Sequence, residues 1–458
     1  MTIGILKLNR LKKISCLGLF ILFNIQFVSA QIDADSAKAN KWTNHFQLTV
    51  ISQNHFGFKS LYSGNNSLSS EAQYGATSIT STLFLGRRLW KGAAFYFNPE
   101  ISGGEGLSSS LGVAGALNGE TYRVGNAAPQ VSFARAYLQQ QIPLGHTGYE
   151  NVADDVNQVK GMVPVDRLTI SAGKFAISDF YDNNEFSHDP RTQFLNWSLM
   201  SNGAWDYPAN TKGYTYGIVT ELVLRKWAVR LSSVAVPAIA NAPKMEYVLP
   251  GAHSETVEVE RKIFLDKRPG KIRFIISNTH SRAPSYEAGL QAIADNDTSL
   301  LHVISGDAEG KTYGGKKLGL GFSGEQELSN NLGVFMRAGW NDGKDVSWAF
   351  TEIDQTLSAG LSLKGAKWKR PNDVIDVAGV VNGISSGHRE FLKSGGYGFI
   401  LGDGNLNYGH EAIMEVYYNA RLFSSFWFTA DYQFVNNPGY NKDRGPVNVF
   451  ALRGHVEF

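Results

Sequence analysis

The end of the chain constrains the fold most strongly, because its last nine residues alternate between apolar and polar side chains. Successive side chains of a β-strand point to opposite faces, so the pattern predicts one apolar face and one polar face. One face carries Phe450, Leu452, Gly454, Val456 and Phe458. The other face carries Ala451, Arg453, His455 and Glu457. In a transmembrane barrel these faces meet lipid and a wet lumen, and the terminal aromatic lies at the membrane interface. The segment alone leaves open a half-buried strand of a soluble sandwich.

The first 30 residues have the pattern of a secretory signal peptide. A basic region with Lys7, Arg10, Lys12 and Lys13 precedes an apolar core over residues 14–28, and Val28-Ser29-Ala30 forms a small-residue cleavage site. An uncleaved membrane helix is less favoured because the core is short. We expect a signal peptide over residues 1–30, a polar lead-in over residues 31–41, and a barrel over residues 42–458.

The composition excludes several kinds of site and partner. Cys16 is the single cysteine and lies in the signal peptide, so the exported chain has no disulfide, cysteine metal site or cysteine nucleophile. Beyond residue 30, 39 Lys and Arg stand against 41 Asp and Glu, which gives no reason to expect a nucleic-acid partner. Aromatic residues make up 12% of the chain and glycines number 48, a combination typical of barrels with aromatic girdles and glycine-rich turns.

Alternating segments of about ten residues recur along the chain, separated by Gly, Asn, Asp or Pro. They predict an all-β fold, a transmembrane antiparallel β-barrel of about 16 strands, within a range of roughly 14–18. The alternation places Leu320, Val416 and Phe428 towards lipid, and Ser323, Glu415 and Thr429 towards the lumen. Short periplasmic turns and long extracellular loops are expected, and the long connections are residues 53–75, 101–130, 143–165, 178–213, 237–262 and 280–315.

Motifs that could carry catalysis are too weak to predict an enzyme. Gly383-Ile384-Ser385-Ser386-Gly387 matches the serine-hydrolase elbow, but that elbow needs a following helix, and the sequence there predicts a barrel loop. Ser171-Ala172-Gly173-Lys174 matches Ser-x-x-Lys without the companion motifs of β-lactamases. The ten histidines show no metal-ligand spacing, so we expect neither a metal nor a cofactor.

Charged residues recur at positions that the alternation directs into the lumen. A charge on the lipid face costs about 2–4 kcal/mol at mid-membrane, so inward placement is expected. Facing acidic and basic groups create a transverse field and offer hydrogen bonds to hydroxyl groups, or they only pair across strands and hold the barrel together. The candidate pore-lining residues are Glu100, Arg135, Glu221, Arg230, Arg337, Glu415, Asp431 and Arg453.

Several runs of the sequence carry a family resemblance. They include Leu85-Gly86-Arg87-Arg88-Leu89-Trp90, Gly173-Lys174-Phe175, Asp189-Pro190-Arg191-Thr192-Gln193-Phe194-Leu195-Asn196-Trp197, Trp205-Asp206-Tyr207 and Gly339-Trp340-Asn341-Asp342-Gly343. With these runs the chain resembles the OprB-type carbohydrate-selective porins over nearly all of its exported length. The acidic and basic stretch around residues 244–270 departs from the family pattern.

The resemblance implies a porin that passes carbohydrates, other small hydrophilic solutes and ions passively, without enzymatic activity. Its implied place is the outer membrane of a Gram-negative bacterium, after signal-peptide export. The expected partners are carbohydrates bound by the candidate residues, outer-membrane lipid, lipopolysaccharide and a barrel-assembly machinery. The alternating terminal strand predicts Phe458 as the assembly signal that this machinery reads. The oligomeric state is left open. An outer-membrane barrel hydrolase and a secreted all-β carbohydrate-binding protein are the alternatives.

Overall fold

The computed structural model describes residues 41–121 and 127–458, which form a closed antiparallel barrel of 16 strands and one separate two-stranded hairpin. This confirms the predicted fold class and strand number. The predicted signal peptide, and the lead-in up to residue 40, lie outside the described residues. The strands are β1 (Trp42–His55), β2 (Gln73–Arg88), β3 (Ala93–Gly104), β4 (Gln130–Pro143), β5 (Tyr149–Val152), β6 (Gly161–Pro164), β7 (Arg167–Phe175), β8 (Thr215–Val223), β9 (Trp227–Val234), β10 (His253–Leu265), β11 (Arg268–Ser281), β12 (Gly315–Glu327), β13 (Leu332–Asn341), β14 (Gln355–Gly365), β15 (Arg370–Gly383), β16 (Glu411–Phe423), β17 (Phe426–Asn436) and β18 (Val447–Glu457).

The barrel closes between its first and last strands. β1 pairs with β2 on one side and with β18 on the other, so the sheet has no free edge. The amide of Phe458 donates to the Phe46 carbonyl at 3.0 Å, the Phe46 amide donates back at 3.2 Å, and the two rings stack. The terminal residue therefore completes the hydrogen-bond ladder of the seam.

The inward and outward faces of the strands follow the predicted alternation. Phe450 and Leu452 are exposed on the outer face, whereas Ala451 and Arg453 are buried inside. The predicted orientations of the six residues on β12, β16 and β17 are also confirmed: Leu320, Val416 and Phe428 face outward, and Ser323, Glu415 and Thr429 face inward. The period of two is thus sufficient to set the register of these strands.

The prediction of a loop over residues 237–262 is wrong for its second half, because β10 occupies residues 253–265. Its charged residues interrupt the apolar pattern expected of a strand. Inside the barrel, however, the carboxylates of Glu258 and Glu260 pair with the guanidinium groups of Arg230 and Arg273. The stretch 244–270 therefore comprises the end of a loop, the regular barrel strand β10, a tight turn and the first residues of β11.

The two ends of the barrel differ in the length of their connections. The end with tight turns, called the turn side, has connections of residues 89–92, 224–226, 266–267, 328–331, 366–369 and 424–425. The opposite end, called the loop side, has connections of residues 56–72, 105–129, 176–214, 235–252, 282–314, 342–354, 384–410 and 437–446.

One predicted long connection, residues 143–165, lies on the turn side instead of the loop side. It contains the β5–β6 hairpin. Arg88 at the end of β2 donates to the carbonyls of Val159 and Lys160, and Asn98 on β3 donates to Asn157 at 3.0 Å. The expectation of short turns throughout this side is therefore wrong at this connection, where the segment folds back against the barrel mouth.

Among the described residues, the α-helices lie in the long connections. They are α1 (Trp197–Met200), α2 (Tyr286–Asp295), α3 (Thr298–Ile304) and α4 (Ser386–Lys393). Short 3-10 turns occur at Leu107–Ser110, Ile177–Asp179, Ala366–Trp368 and Pro438–Tyr440. None of the helices in the described ranges is long and apolar enough to cross a membrane.

Candidate functional site

The connection between β7 and β8, residues 176–214, lies inside the barrel and is called the lumen loop below. It is held by side chains from strands around the circumference, which include Glu100 on β3, Glu258 on β10, Arg337 on β13, Glu415 on β16 and Arg453 on β18. Because these strands lie on different sides of the barrel, the lumen loop crosses the lumen and narrows it.

Aromatic packing and a helix cap give the lumen loop its local shape. Asn196 caps α1, because its side-chain oxygen accepts from the Ser198 amide at 3.1 Å. The Trp197 and Tyr207 rings pack on Phe350 of the connection between β13 and β14, with centroid distances of 4.5 and 3.9 Å. These contacts form an apolar core inside the barrel, so the loop is a folded element and not an open coil.

Arg191 of the lumen loop lies between two carboxylates on the β1–β3 side of the barrel. Its guanidinium contacts Glu100 at 3.0 Å and Glu120 at 3.2 Å, and it also donates to Thr82. Burial lowers the pKa of Arg191, but Glu120 and Glu100 outweigh burial and raise the pKa above its ordinary value. The Tyr214 hydroxyl donates to Glu100 at 2.9 Å, so the middle and the C-terminal end of the loop bind the same carboxylate.

Arg337 holds the lumen loop from the opposite wall. Its Nε donates to Asp182 at 2.9 Å, and its terminal nitrogens donate to the carbonyls of Leu199 and Ser187. Arg337 is fully buried. Three donors of one guanidinium therefore fix two separate stretches of the loop.

Glu415 and Arg453 hold the middle of the lumen loop. Glu415 accepts from the backbone amides of Leu195 and Asn196 at 2.5 and 2.9 Å. Arg453 donates to the carbonyls of Pro190 and Gln193 at 2.8 and 2.6 Å. Both side chains bind backbone atoms, so they fix the course of the loop independently of its side chains. Asp431 lies next to both Glu415 and Arg453.

Arg135 forms a bidentate ion pair with Asp179 at the start of the lumen loop. Both nitrogen–oxygen distances are 2.6 Å. This pair is less enclosed than the Arg337–Asp182 pair, because 26% of the Asp179 side chain is exposed against 2% for Asp182. Water therefore reaches a charged group at this point.

A row of alternating charges runs along the inner wall of β8 to β12 and is called the charge ladder: Glu221, Arg230, Glu258, Glu260, Arg273 and Glu325. Arg230 contacts three carboxylates, at 2.9 Å for Glu221, 2.5 Å for Glu258 and 3.3 Å for Glu260. At its open end 12% of the Arg230 side chain and 16% of the Glu221 side chain remain exposed.

A second segment, the described part of the connection between β3 and β4, also enters the barrel. Glu411 on β16 accepts from the amides of Ala114 and Gly115 at 2.9 and 2.8 Å. The carbonyl of Leu117 accepts from Gln53 on β1 and Gln433 on β17. This segment packs beside α1, because the Trp197 amide donates to the Gly115 carbonyl.

All eight predicted pore-lining residues lie on the inner face of the barrel, but the structure brings only some of them together. Glu221 pairs with Arg230, and Glu415 and Asp431 lie beside Arg453. Glu100, Arg135 and Arg337 instead bind the lumen loop through Arg191, Asp179 and Asp182. Their role in binding sugar stays a prediction.

Sequence reasoning missed the partners of these residues. Three of the partners, Asp179, Asp182 and Arg191, lie in the predicted connection over residues 178–213. Glu120 lies in the predicted connection over residues 101–130. Neither connection has the period of two that marks an inward position. Glu258 and Glu260 lie in the stretch taken for a loop. Their spacing of two residues was the available signal, since it puts both carboxylates on one face of a strand.

The Gly-x-Ser-x-Gly motif is followed by a helix that the sequence did not predict, since α4 comes directly after β15. The Ser385 hydroxyl donates to the Gly343 carbonyl at 2.7 Å and accepts from the His388 amide as the cap of α4. The His388 ring is fully buried, with Nδ1 facing Asp354 at 3.1 Å and its face stacked on Tyr286. These contacts describe a helix cap rather than an activated nucleophile.

Comparison with known proteins identifies the family. The model of the carbohydrate-selective porin OprB family matches residues 69–458 of the chain. The chain belongs to the OprB family of carbohydrate-selective porins. A comparison with curated protein sequences gave no match.

Three solved structures of outer-membrane proteins resemble this porin. The high-pH structure of Pseudomonas putida OprB has a TM-score of 0.64 and 14% identity, over 91% of this chain and 94% of that chain. Its low-pH structure has a TM-score of 0.47 and 11% identity, over 91% and 93% of the two chains. OprD from Pseudomonas aeruginosa has a TM-score of 0.42 and 10% identity, over 92% and 96%. At these identities the first comparison supports the fold alone.

As a member of this family, the porin is an outer-membrane barrel that lets carbohydrates pass by diffusion. The sequence-based prediction of the family, the fold and the passive carbohydrate channel is confirmed.

Proposed function

We propose that the lumen loop forms the constriction of this porin, and that sugars touch charged groups mainly on the wall from β4 to β9. The exposure of the ion pairs carries the proposal. Asp179 and Glu221 remain 26% and 16% exposed, whereas Arg337 and Asp182 are at most 2% exposed. A solute can bind only to groups that water already reaches, and both the Arg135–Asp179 pair and the Arg230–Glu221 end of the charge ladder contain such groups.

The chemistry of these two pairs suits a polyol. A guanidinium offers donors in a fixed plane, and a carboxylate accepts from hydroxyl groups, so one ion pair can bind both sides of a sugar hydroxyl. Binding must be weak, near the millimolar scale of about −4 kcal/mol, or the sugar would plug the channel.

The buried members of the predicted set have a different role in this proposal. Glu100, Arg337, Glu415 and Arg453 hold the lumen loop in place, and Asp431 lies next to two of them. They act on the solute through the position of the loop. No catalytic step is part of the proposal, since the family consists of porins.

Replacing Glu221 by glutamine should weaken the block of ion current by sugar. The change removes one charged acceptor, and a hydrogen bond to a charged group contributes about 1.5–3 kcal/mol at most, less where water competes. Planar-bilayer current measured during a glucose titration gives the apparent affinity. Glu390→Gln on the exposed face of α4 is the matched control and should behave as wild type. An unchanged glucose affinity in Glu221→Gln would show that sugar is bound elsewhere.

We propose further that this porin reaches the outer membrane of a Gram-negative cell after removal of residues 1–30, and that the barrel-assembly machinery recognises its C-terminal strand. Deleting Phe458 removes both hydrogen bonds to Phe46 and the ring stack at the seam. We expect a sharp fall in the amount of folded barrel, measured by heat-modifiable gel mobility of outer-membrane fractions. Normal membrane levels of the shortened chain would contradict this role.

A further inference from the structure

Two histidines and a glutamate meet on the outer face of the barrel, away from the lumen. His253 and Glu255 lie on β10, and His280 lies directly opposite His253 on β11. The two imidazole rings stack with centroids 5.0 Å apart, and His253 Nε2 lies 2.7 Å from Glu255 Oε1. One ligand atom from each of the three residues lies within 4.8 Å of the others. We infer that these residues bind a divalent transition-metal ion, with Zn²⁺ as the reference ion.

The donor set matches the preferences of such ions. Zn²⁺ takes imidazole nitrogen at about 2.0–2.1 Å and carboxylate oxygen at about 2.0–2.2 Å, in a tetrahedral arrangement. Two donors on one tetrahedral ion are therefore about 3.3–3.5 Å apart. The donor–donor distances in the cluster, 2.7 Å between His253 Nε2 and Glu255 Oε1 and at most 4.8 Å overall, lie on both sides of this value. Small side-chain rotations therefore bring all three donors onto one ion. Three protein ligands leave one tetrahedral position for water.

Neighbouring groups already orient the two imidazole rings. His253 Nδ1 lies 2.7 Å from the Leu249 carbonyl, to which its N–H donates, and this leaves the lone pair of Nε2 towards Glu255. The Asn278 amide lies 3.0 Å from His280 Nε2, and Asn278 is paired with Glu255 across the two strands. A carbonyl that fixes the tautomer of a ligating histidine is a usual part of metal sites.

The cluster lies at the loop-side ends of β10 and β11, outside the apolar band, so its polar groups do not have to be buried in lipid. Towards the turn side, the next outward residues of the two strands are the apolar Val257 and Ile276. Towards the loop side, the connections 235–252 and 282–314 leave the same strands. Polar and charged side chains cost little near the membrane interface. An ion here would tie together the strand ends that carry these two connections.

Lys316 gives the proposal a second, opposite test. It lies next to His280 on β12 and is exposed on the same outer face. Its positive charge opposes a bound cation, because like charges at this separation repel. Removing this charge by Lys316→Ala should tighten metal binding several-fold, which a mere loss of surface polarity would not do.

The experiment uses the full chain purified from outer membranes in detergent, without a histidine tag and stripped of metal. Isothermal titration with Zn²⁺ should show one ion per chain, and Co²⁺ should give the visible absorption of a tetrahedral site. His253→Ala and His280→Ala should each weaken binding by about tenfold or more. The control is His302→Ala, which should bind Zn²⁺ as the wild type does. His302 lies on α3, is exposed, and is close to Asp307.

Heat-modifiable mobility verifies that each variant is a folded barrel, and Glu255→Gln replaces any histidine variant that fails this test. Saturable binding that falls in the ligand variants and rises in Lys316→Ala supports the site. The inference is overturned if the wild-type chain shows no saturable Zn²⁺ binding, or if the folded ligand variants bind Zn²⁺ as the wild type does.

Discussion

Replacing Arg337 by alanine should raise single-channel conductance several-fold and abolish most of the block by sugar. Arg337 is fully buried and donates to Asp182 and to the carbonyls of Leu199 and Ser187. Its removal leaves the Asp182 carboxylate buried without its partner, and breaking such a pair costs about 3–5 kcal/mol. This cost falls on the docked position of the lumen loop rather than on the strand ladder, so we expect the loop to leave the lumen while the barrel stays closed.

The control for this experiment is Arg268→Ala at the turn side, where the arginine makes a solvent-exposed hydrogen bond to Asn330. Planar-bilayer recordings of this variant should match the wild type. Asp182→Asn keeps the shape of the pair but removes its charge, and should give a smaller rise in conductance. Wild-type conductance in a folded Arg337→Ala barrel would contradict the assignment of the lumen loop as the constriction.

Replacing Arg230 by alanine should make the channel strongly cation-selective. Arg230 contacts Glu221, Glu258 and Glu260, and its loss leaves their negative charge facing the lumen. A unit charge at about 4 Å contributes up to about 4 kcal/mol at an effective dielectric constant near 20, before screening by salt. Since about 1.4 kcal/mol corresponds to a factor of ten, we expect the ratio of cation to anion permeability to rise by roughly tenfold.

Reversal potentials in a salt gradient measure this ratio. Arg230→Lys keeps the positive charge and should retain the selectivity of the wild type, although it loses the fork geometry that binds several carboxylates. An unchanged permeability ratio in Arg230→Ala would mean that ions do not pass the open end of the charge ladder.

The sequence is sufficient to predict the barrel because the period of two is a local property of each strand. The orientation of Arg453 or Thr429 follows from its neighbours in sequence. The lumen loop has no such period. Its position depends on contacts between residues far apart in sequence: Arg191 and Glu100 are 91 residues apart, and the Leu195 amide and Glu415 are 220 residues apart. Nothing within the loop itself signals these contacts.

In the candidate site, too, the sequence predicts which face of a strand a residue occupies but not which residue it pairs with. Alternation predicts that Glu100 and Arg337 face inward, which the structure confirms, but it does not give their partners. The prediction of a loop at β10 is wrong for a related reason. The charges of Glu258 and Glu260 are typical of surface residues, and the sequence does not show that Arg230 and Arg273 pair with them inside the barrel. A charged residue can be predicted to face a lumen, but whether it meets solute or another protein group depends on the whole fold.

Osmotic swelling of lipid vesicles that contain the purified porin tests the central claim most directly. Vesicles are diluted into iso-osmolar solutions of glucose, of sucrose, and of a zwitterionic amino acid close to glucose in size. A carbohydrate channel narrowed by the lumen loop should admit glucose faster than the amino acid and sucrose more slowly than glucose, without any energy source. Equal rates for glucose and the size-matched amino acid, or no swelling with glucose, would contradict it.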